Sequence, residues 1–326
     1  MSQIKIKAVT EEEWNLVDEF NRNITDEFLR QSHLSDHTLT QYKSGLRIFF
    51  NWIRINQQNK PLHALKPRMA LLYQSYLIDL GLSSSAVKFK RSAVSSVCGY
   101  LELYYSDEYP LFRNIYSKQI PNPPKTAKNA KQPLTKDEFN NLIETLTKQE
   151  QWQMLAYLLL SFASGGRRSE IAQIDKDIAN KKKAFDKKND KELDYYVIPN
   201  IRGKGRGKAG KPISLIFDEP ARLAAIKWLE VRGEDDCDAL FVRKSKDGKV
   251  ERLSPSAFNG WCTNKFSEIV GRRTYPHLWR SSRATIASEE DGVDIKFIQK
   301  LLNHNDPSTT NIYIVKEEDD SFEGLF

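Results

Sequence analysis

The chain has 326 residues, 40% of them hydrophobic and 11% aromatic, with 50 Lys plus Arg against 43 Asp plus Glu and a formal net charge of +7. Ordinary domain sizes then predict two domains, and so much apolar content at so small a net charge excludes intrinsic disorder. Apolar stretches such as the one ending at Ala163 are too short to span a bilayer, the acidic start from Thr10 to Glu13 carries no secretory signal, and three scattered cysteines (Cys98, Cys237, Cys262) offer neither a disulfide framework nor paired zinc ligands, so the expected location is cytoplasmic.

After an N-terminal segment (1–15), residues 16–118 read as all-helical. Thr38, Leu39, Tyr42, Leu46, Phe49 and Phe50 recur at three- and four-residue spacing behind Ser35, a predicted N-cap. Ala70, Tyr73, Tyr76 and Leu77 repeat the period. A third helix carries Val87, Val94, Val97 and Leu101, with Lys88, Lys90 and Arg91 near its start. Residues 119–133 read as an extended linker, because Pro121, Pro123 and Pro124 disfavour helix.

Residues 134–326 form the second expected domain. Thr135 followed by Glu138 predicts a capped helix start, and an apolar helix runs from Gln151 to Ala163. Tyr195–Ile201 and Pro212–Phe217 are β-type runs that suggest a hairpin, and from Glu219 onward the helical period returns. The predicted class is therefore mainly α with a small antiparallel β-sheet.

Between Lys181 and Lys211 there are eleven Lys or Arg and four Asp or Glu, an excess equal to that of the whole chain. Such a run fits either a solvated loop or a phosphate-contacting element. Within it, Gly205–Lys211 nearly spells a phosphate-binding loop. It fails that pattern because Pro212 stands where a Ser or Thr must hold magnesium, and a β-type run follows where a helix is needed. The five histidines are accompanied by neither paired cysteines nor a carboxylate cluster, so no metal and no other cofactor is expected.

Several short motifs, bland alone, occur in one order. Ser164-Gly165-Gly166-Arg167-Arg168-Ser169-Glu170-Ile171, Gly203-Lys204-Gly205, Pro276-His277-Leu278-Trp279-Arg280, Leu301-Leu302-Asn303-His304 and Tyr313 resemble the five boxes of the tyrosine recombinase (phage integrase) family, in its Xer-like, two-domain form. The likeness spans about Leu16 to Ile314. Ser281 stands where a second His often follows the arginine, and Asn303 replaces the usual Gly. Arg167 rather than Arg168 fits the Gly-x-Arg-x-x-Glu register.

The resemblance implies a helical SAM-like core-binding domain over 16–118 and an α+β catalytic domain over 134–326. It implies a site-specific recombinase or integrase that cleaves and rejoins double-stranded DNA through a 3′-phosphotyrosine and a Holliday junction, as a homotetramer on synapsed sites. Arg167 and Arg280 would grip the non-bridging phosphate oxygens, since planar guanidinium groups are permanent charged donors. His304 would add a hydrogen bond, and His277 would act as base for the Tyr313 nucleophile. Lys204 would protonate the leaving 5′-oxygen, with Lys208 and Lys211 as rivals. Lys43, Arg47, Lys88, Lys90, Arg91, Arg206 and Lys208 would contact DNA. Two other functions fit the same residues: a type IB topoisomerase-like enzyme, and a catalytically silent DNA-binding protein of the same fold.

Overall fold

The structure, a computed structural model, describes residues 6–116, 120–124, 132–205, 207, 209–304, 310 and 314. The chain divides into two compact units, the first made up mainly of Met1–Asn129 and the second mainly of Ala130–Gly205 with Ala209–Phe326.

The described part of the first unit is helical: α1 (Glu11–Asn15), α2 (Glu19–Leu29), α3 (Asp36–Asn56), α4 (Pro67–Asp79) and α5 (Ser84–Tyr104). Local chemistry sets the ends. Ser35 accepts a hydrogen bond from the Thr38 amide (3.2 Å) and Ser83 one from that of Ala86 (3.3 Å), satisfying donors that an uncapped helix leaves orphaned. Pro67 begins α4, where its missing N–H costs nothing. The apolar stripes become the core: Leu46, Phe49, Phe50 and Ile53 of α3 are buried with Tyr73 and Leu77 of α4 and Val94, Val97 and Leu101 of α5. Gly45 lets α3 approach α5 closely, since a Cβ there would lie 3.3 Å from the Ala93 Cβ.

The second unit surrounds one apolar helix. After α6 (Lys136–Lys148), whose Thr135–Glu138 capping box forms as expected, α7 (Trp152–Ser164) buries Leu155, Ala156, Tyr157, Leu158 and Leu160. Tyr157 stacks on Phe258 with ring centroids 4.2 Å apart. A single turn, α8 (Arg168–Ile171), leads to an antiparallel sheet of β1 (Lys183–Asp186), β2 (Lys191–Gly203) and β3 (Lys211–Phe217), in that spatial order. Then come α9 (Glu219–Arg232), the hairpin β4 (Val242–Lys244) and β5 (Val250–Arg252), α10 (Ala257–Trp261), α11 (Ser267–Val270), α12 (Pro276–Thr285) and α13 (Ile295–Leu301). The Ser282 hydroxyl on α12 accepts from the Leu134 amide at 2.8 Å, pinning the start of the unit. No described helix is long and apolar enough to cross a membrane.

Two stretches depart from the sequence reading. The basic run at 181–194, which composition leaves open between a loop and a phosphate-contacting element, supplies β1 and the start of β2, so the expected hairpin is a three-stranded sheet. Lys183 pairs across the strands with Asp194 (3.0 Å) and Glu192 (3.9 Å), and Lys181 with Asp177 (2.7 Å), so local carboxylates offset part of the run's charge. The helical period also does not hold after α9, because residues 242–252 form the β4–β5 hairpin. Its turn contains Gly248 at φ +83°, a conformation that suits glycine.

Candidate active site

The residues of the predicted boxes assemble mainly at the ends of α7, α12 and α13. At the end of α7 the chain turns sharply through Gly165, which sits at φ +57°. A Cβ on Gly165 would collide with the Leu302 side chain, and one on Gly166 would lie 2.7 Å from the Ile171 Cδ1. Both glycines let the chain run tight before Arg167. Gly165→Ala should therefore cost at least roughly 1–2 kcal/mol for the left-handed backbone alone, with the Leu302 collision on top. Thermal denaturation should show a lowered Tm, and an unchanged Tm would contradict this packing.

Arg167 is the N-cap of α8. Glu170 Oε2 accepts the Arg167 amide at 2.7 Å, while Glu170 Oε1 pairs with the guanidinium at 2.8 Å. Glu170 is only 1% exposed, so this is an anchored pair rather than a surface one, and it holds a partly exposed Arg167 head in place. By spacing alone, an Arg-x-x-Glu pair makes an ordinary ion pair on a helix face. Its burial depends on Gly165 and Gly166 folding the chain inward.

Arg280, on α12, is almost fully buried. Its guanidinium donates to the carbonyls of Gly165 (2.5 Å) and Leu302 (2.5 Å) and meets His304 Nε2 at 2.7 Å. His304 follows α13 and is also buried. Its Nδ1 lies 2.9 Å from the Thr310 hydroxyl. Asn303, where the family usually carries Gly, has φ +53°, and its side chain donates to the Ser214 carbonyl of β3 at 2.9 Å. Asn is the non-glycine residue that best tolerates this conformation, which explains the departure.

Charge and burial tune the two histidines. Burial first, then the Arg280 and Arg167 charges, push His304 down from 6.5 to about 4. His277, in the first turn of α12, is held below its ordinary value by loss of hydration and by Arg280, Arg167 and Arg168, with Glu170 opposing. Both rings are therefore neutral at pH 7. Between pH 6.5 and about 4 the unfolded chain binds the proton that folded His304 refuses. The stability contributed by neutral His304 is thus complete above pH 6.5 and is lost as pH falls toward 4. His304→Gln should flatten that part of the Tm–pH curve, and an unchanged slope would count against the burial.

Lys204 stands exposed just past β2, outside this hydrogen-bonded group, and Lys211 opens β3 opposite Gly203. Tyr313, Arg206 and Lys208 lie outside the described residues. In the first unit, Lys43 and Lys88 are exposed, while Lys90 is half-buried, which lowers its pKa. Two of the predicted DNA contacts are engaged by protein. Arg47 makes two 2.7 Å hydrogen bonds to Glu11 and lies over Trp14. Arg91 donates to the Pro121 carbonyl (2.9 Å) and lies over Tyr116. Among the described residues no group of three His, Cys, Asp or Glu could hold a metal ion.

The phage integrase family model matches residues 132–319. The SPbeta prophage-derived recombinase-like protein YomM of Bacillus subtilis (strain 168) is 33% identical over 312 residues, covering 95% of this chain and 91% of that protein. Tyrosine recombinase XerD of Rickettsia bellii is 26% identical over 311 residues, covering 90% and 93%. The chain also shares its fold with the Tn1549 transposon integrase solved with circular intermediate DNA (TM-score 0.67, 15% identity, covering 94% of this chain and 98% of that one). The same holds for XerH recombinase bound to palindromic difH substrate (TM-score 0.65, 17% identity, covering 97% and 96%). With a family model over more than half its length and a relative aligned almost end to end, the chain belongs to the phage integrase family of tyrosine recombinases, enzymes of DNA recombination.

Proposed function

We propose that this recombinase cuts and rejoins duplex DNA at specific sites, one strand at a time, through a 3′-phosphotyrosine on Tyr313 and a Holliday junction. The observation that carries the proposal is the buried Arg280 joined to His304 beside the anchored Arg167. Two fixed guanidinium groups suit a phosphodiester whose charge grows as the pentacoordinate state forms, and buried donors of this kind need no rearrangement at the moment of reaction. Arg167 and Arg280 bind the non-bridging oxygens, and His304 adds a donor. Neutral His277 assists removal of the Tyr313 proton, for which a depressed pKa keeps its lone pair available. The covalent bond to Tyr313 conserves the phosphoester energy for rejoining. The guanidinium charges supply the electrostatic stabilisation, so cleavage proceeds without a metal ion. Lys43 and Lys88 provide phosphate contacts, and four copies act together on two synapsed sites in the cytoplasm.

The test uses purified protein with a nicked duplex from the DNA flanking its own gene, in EDTA. A denaturation-stable adduct, with strand transfer to a second duplex, is expected. On a supercoiled circle carrying the same site, relaxation without strand transfer would favour a topoisomerase, and binding without an adduct on either substrate would favour a silent DNA-binding protein.

Lys204 has a sharper test. If it protonates the leaving 5′-oxygen, a substrate with sulfur at that bridging position should not need it, because the thiolate leaves unaided. Lys204→Ala should cleave the ordinary site about 10²–10⁴-fold more slowly and the sulfur-substituted site almost normally. Lys208→Ala and Lys211→Ala should show mild defects on both substrates. Selective rescue of Lys208→Ala instead would move the acid to Lys208.

A further inference from the structure

Among the described residues His304 is held at both ring nitrogens, by partners that differ in kind. Arg280 approaches Nε2 at 2.7 Å with a guanidinium nitrogen, which can only donate. Nε2 must therefore be the acceptor; a proton there would face the Arg280 N–H head-on. The single proton of the neutral ring then sits on Nδ1 and is given to the Thr310 hydroxyl, 2.9 Å away. As arranged here, His304 therefore presents no proton from Nε2. To donate to a phosphate from that nitrogen, the ring must carry its proton on Nε2 and leave Nδ1 bare. Thr310 is fully buried, and a hydroxyl is the side-chain group that serves both states: it accepts from Nδ1–H in one and donates to bare Nδ1 in the other.

We propose that Thr310 is a positioning residue that lets His304 exchange tautomers when DNA binds, so that Nε2 passes from accepting an Arg280 hydrogen bond to donating one to the scissile phosphate. The exchange is neutral overall: water admitted with the DNA takes the Nδ1 proton and returns one to Nε2, and the Arg280 N–H released from Nε2 turns to the same phosphate. Among the described residues the charged groups bearing on the ring, Arg280 and Arg167, are both cationic and disfavour a doubly protonated imidazolium as the donating state. An anionic phosphate arriving between Arg280 and His304 supplies the driving force, because it accepts what Nε2 accepted before. The proposal rests on the catalytic reading of Arg280 and His304 above.

Two measurements test it. Nitrogen-15 NMR of the ring-labelled full-length protein should find His304 protonated at Nδ1 without DNA and at Nε2 with the nicked duplex bound; Nε2 protonated in the DNA-free protein would overturn the switch. In single-turnover cleavage, Thr310→Ser, which keeps the hydroxyl, should stay within a fewfold of wild type. Thr310→Val, of nearly equal shape, should slow cleavage about ten- to a hundredfold at unchanged DNA affinity. Equal rates for the Ser and Val variants would refute the tautomer role while leaving the catalytic reading intact. Should Val prevent folding, the Ser variant and the wild-type spectrum still decide. Wild-type protein that forms no adduct would instead sink the catalytic reading itself.

Discussion

Arg280→Lys should slow strand cleavage by about 100- to 1,000-fold, the usual effect of removing one preorganised donor from a developing anion. The substitution keeps the charge, so the argument turns on shape. The Arg280 guanidinium reaches the Gly165 carbonyl with one terminal nitrogen and the Leu302 carbonyl and His304 Nε2 with the other. An ammonium is a compact point charge whose donors do not span that fork. Lysine would leave at least one buried carbonyl unmet, costing about 1–3 kcal/mol of stability as well. DNA affinity should change little, because one phosphate contact among many is altered. Single-turnover cleavage and a Tm measurement on the same variant separate the two effects. A variant that cleaves at the wild-type rate would mean that Arg280 only ties α7 to α13.

Tyr313→Phe should abolish the covalent adduct altogether, the largest effect expected of any single change. Phenylalanine keeps the aromatic ring and removes only the hydroxyl proposed as the nucleophile, so binding in a gel-shift assay should be nearly unchanged. An adduct that survives denaturation in this variant would assign the nucleophile elsewhere.

Much of this site was legible because its chemistry depends on short runs. The α6 capping box, the β2–β3 pairing and the order of the Arg167, His277, Arg280 and His304 boxes are all local patterns. What was not legible depends on contacts distant in sequence. Lys183 reads as a loop residue until Asp194 stands across the sheet from it, and Glu170 reads as a surface carboxylate until the turn at Gly165 buries it. Arg47 and Arg91 read as free cations, yet Glu11 lies 36 residues from the first and Pro121 30 residues from the second. The β4–β5 hairpin was missed because its strands are three residues each, too short for alternation to register. Asn303 shows the reverse case: a mismatch to the family pattern becomes intelligible once its positive φ is known.

The most direct test of the central claim is to trap the cleaved complex on a nicked duplex in EDTA, digest it with protease, and identify the nucleotide-bearing peptide by mass spectrometry. The expected result is a 3′-phosphate ester on the tyrosine at position 313, formed at the same rate with and without added magnesium. An ester on another residue, or cleavage that leaves no covalent peptide and requires magnesium, would contradict the account.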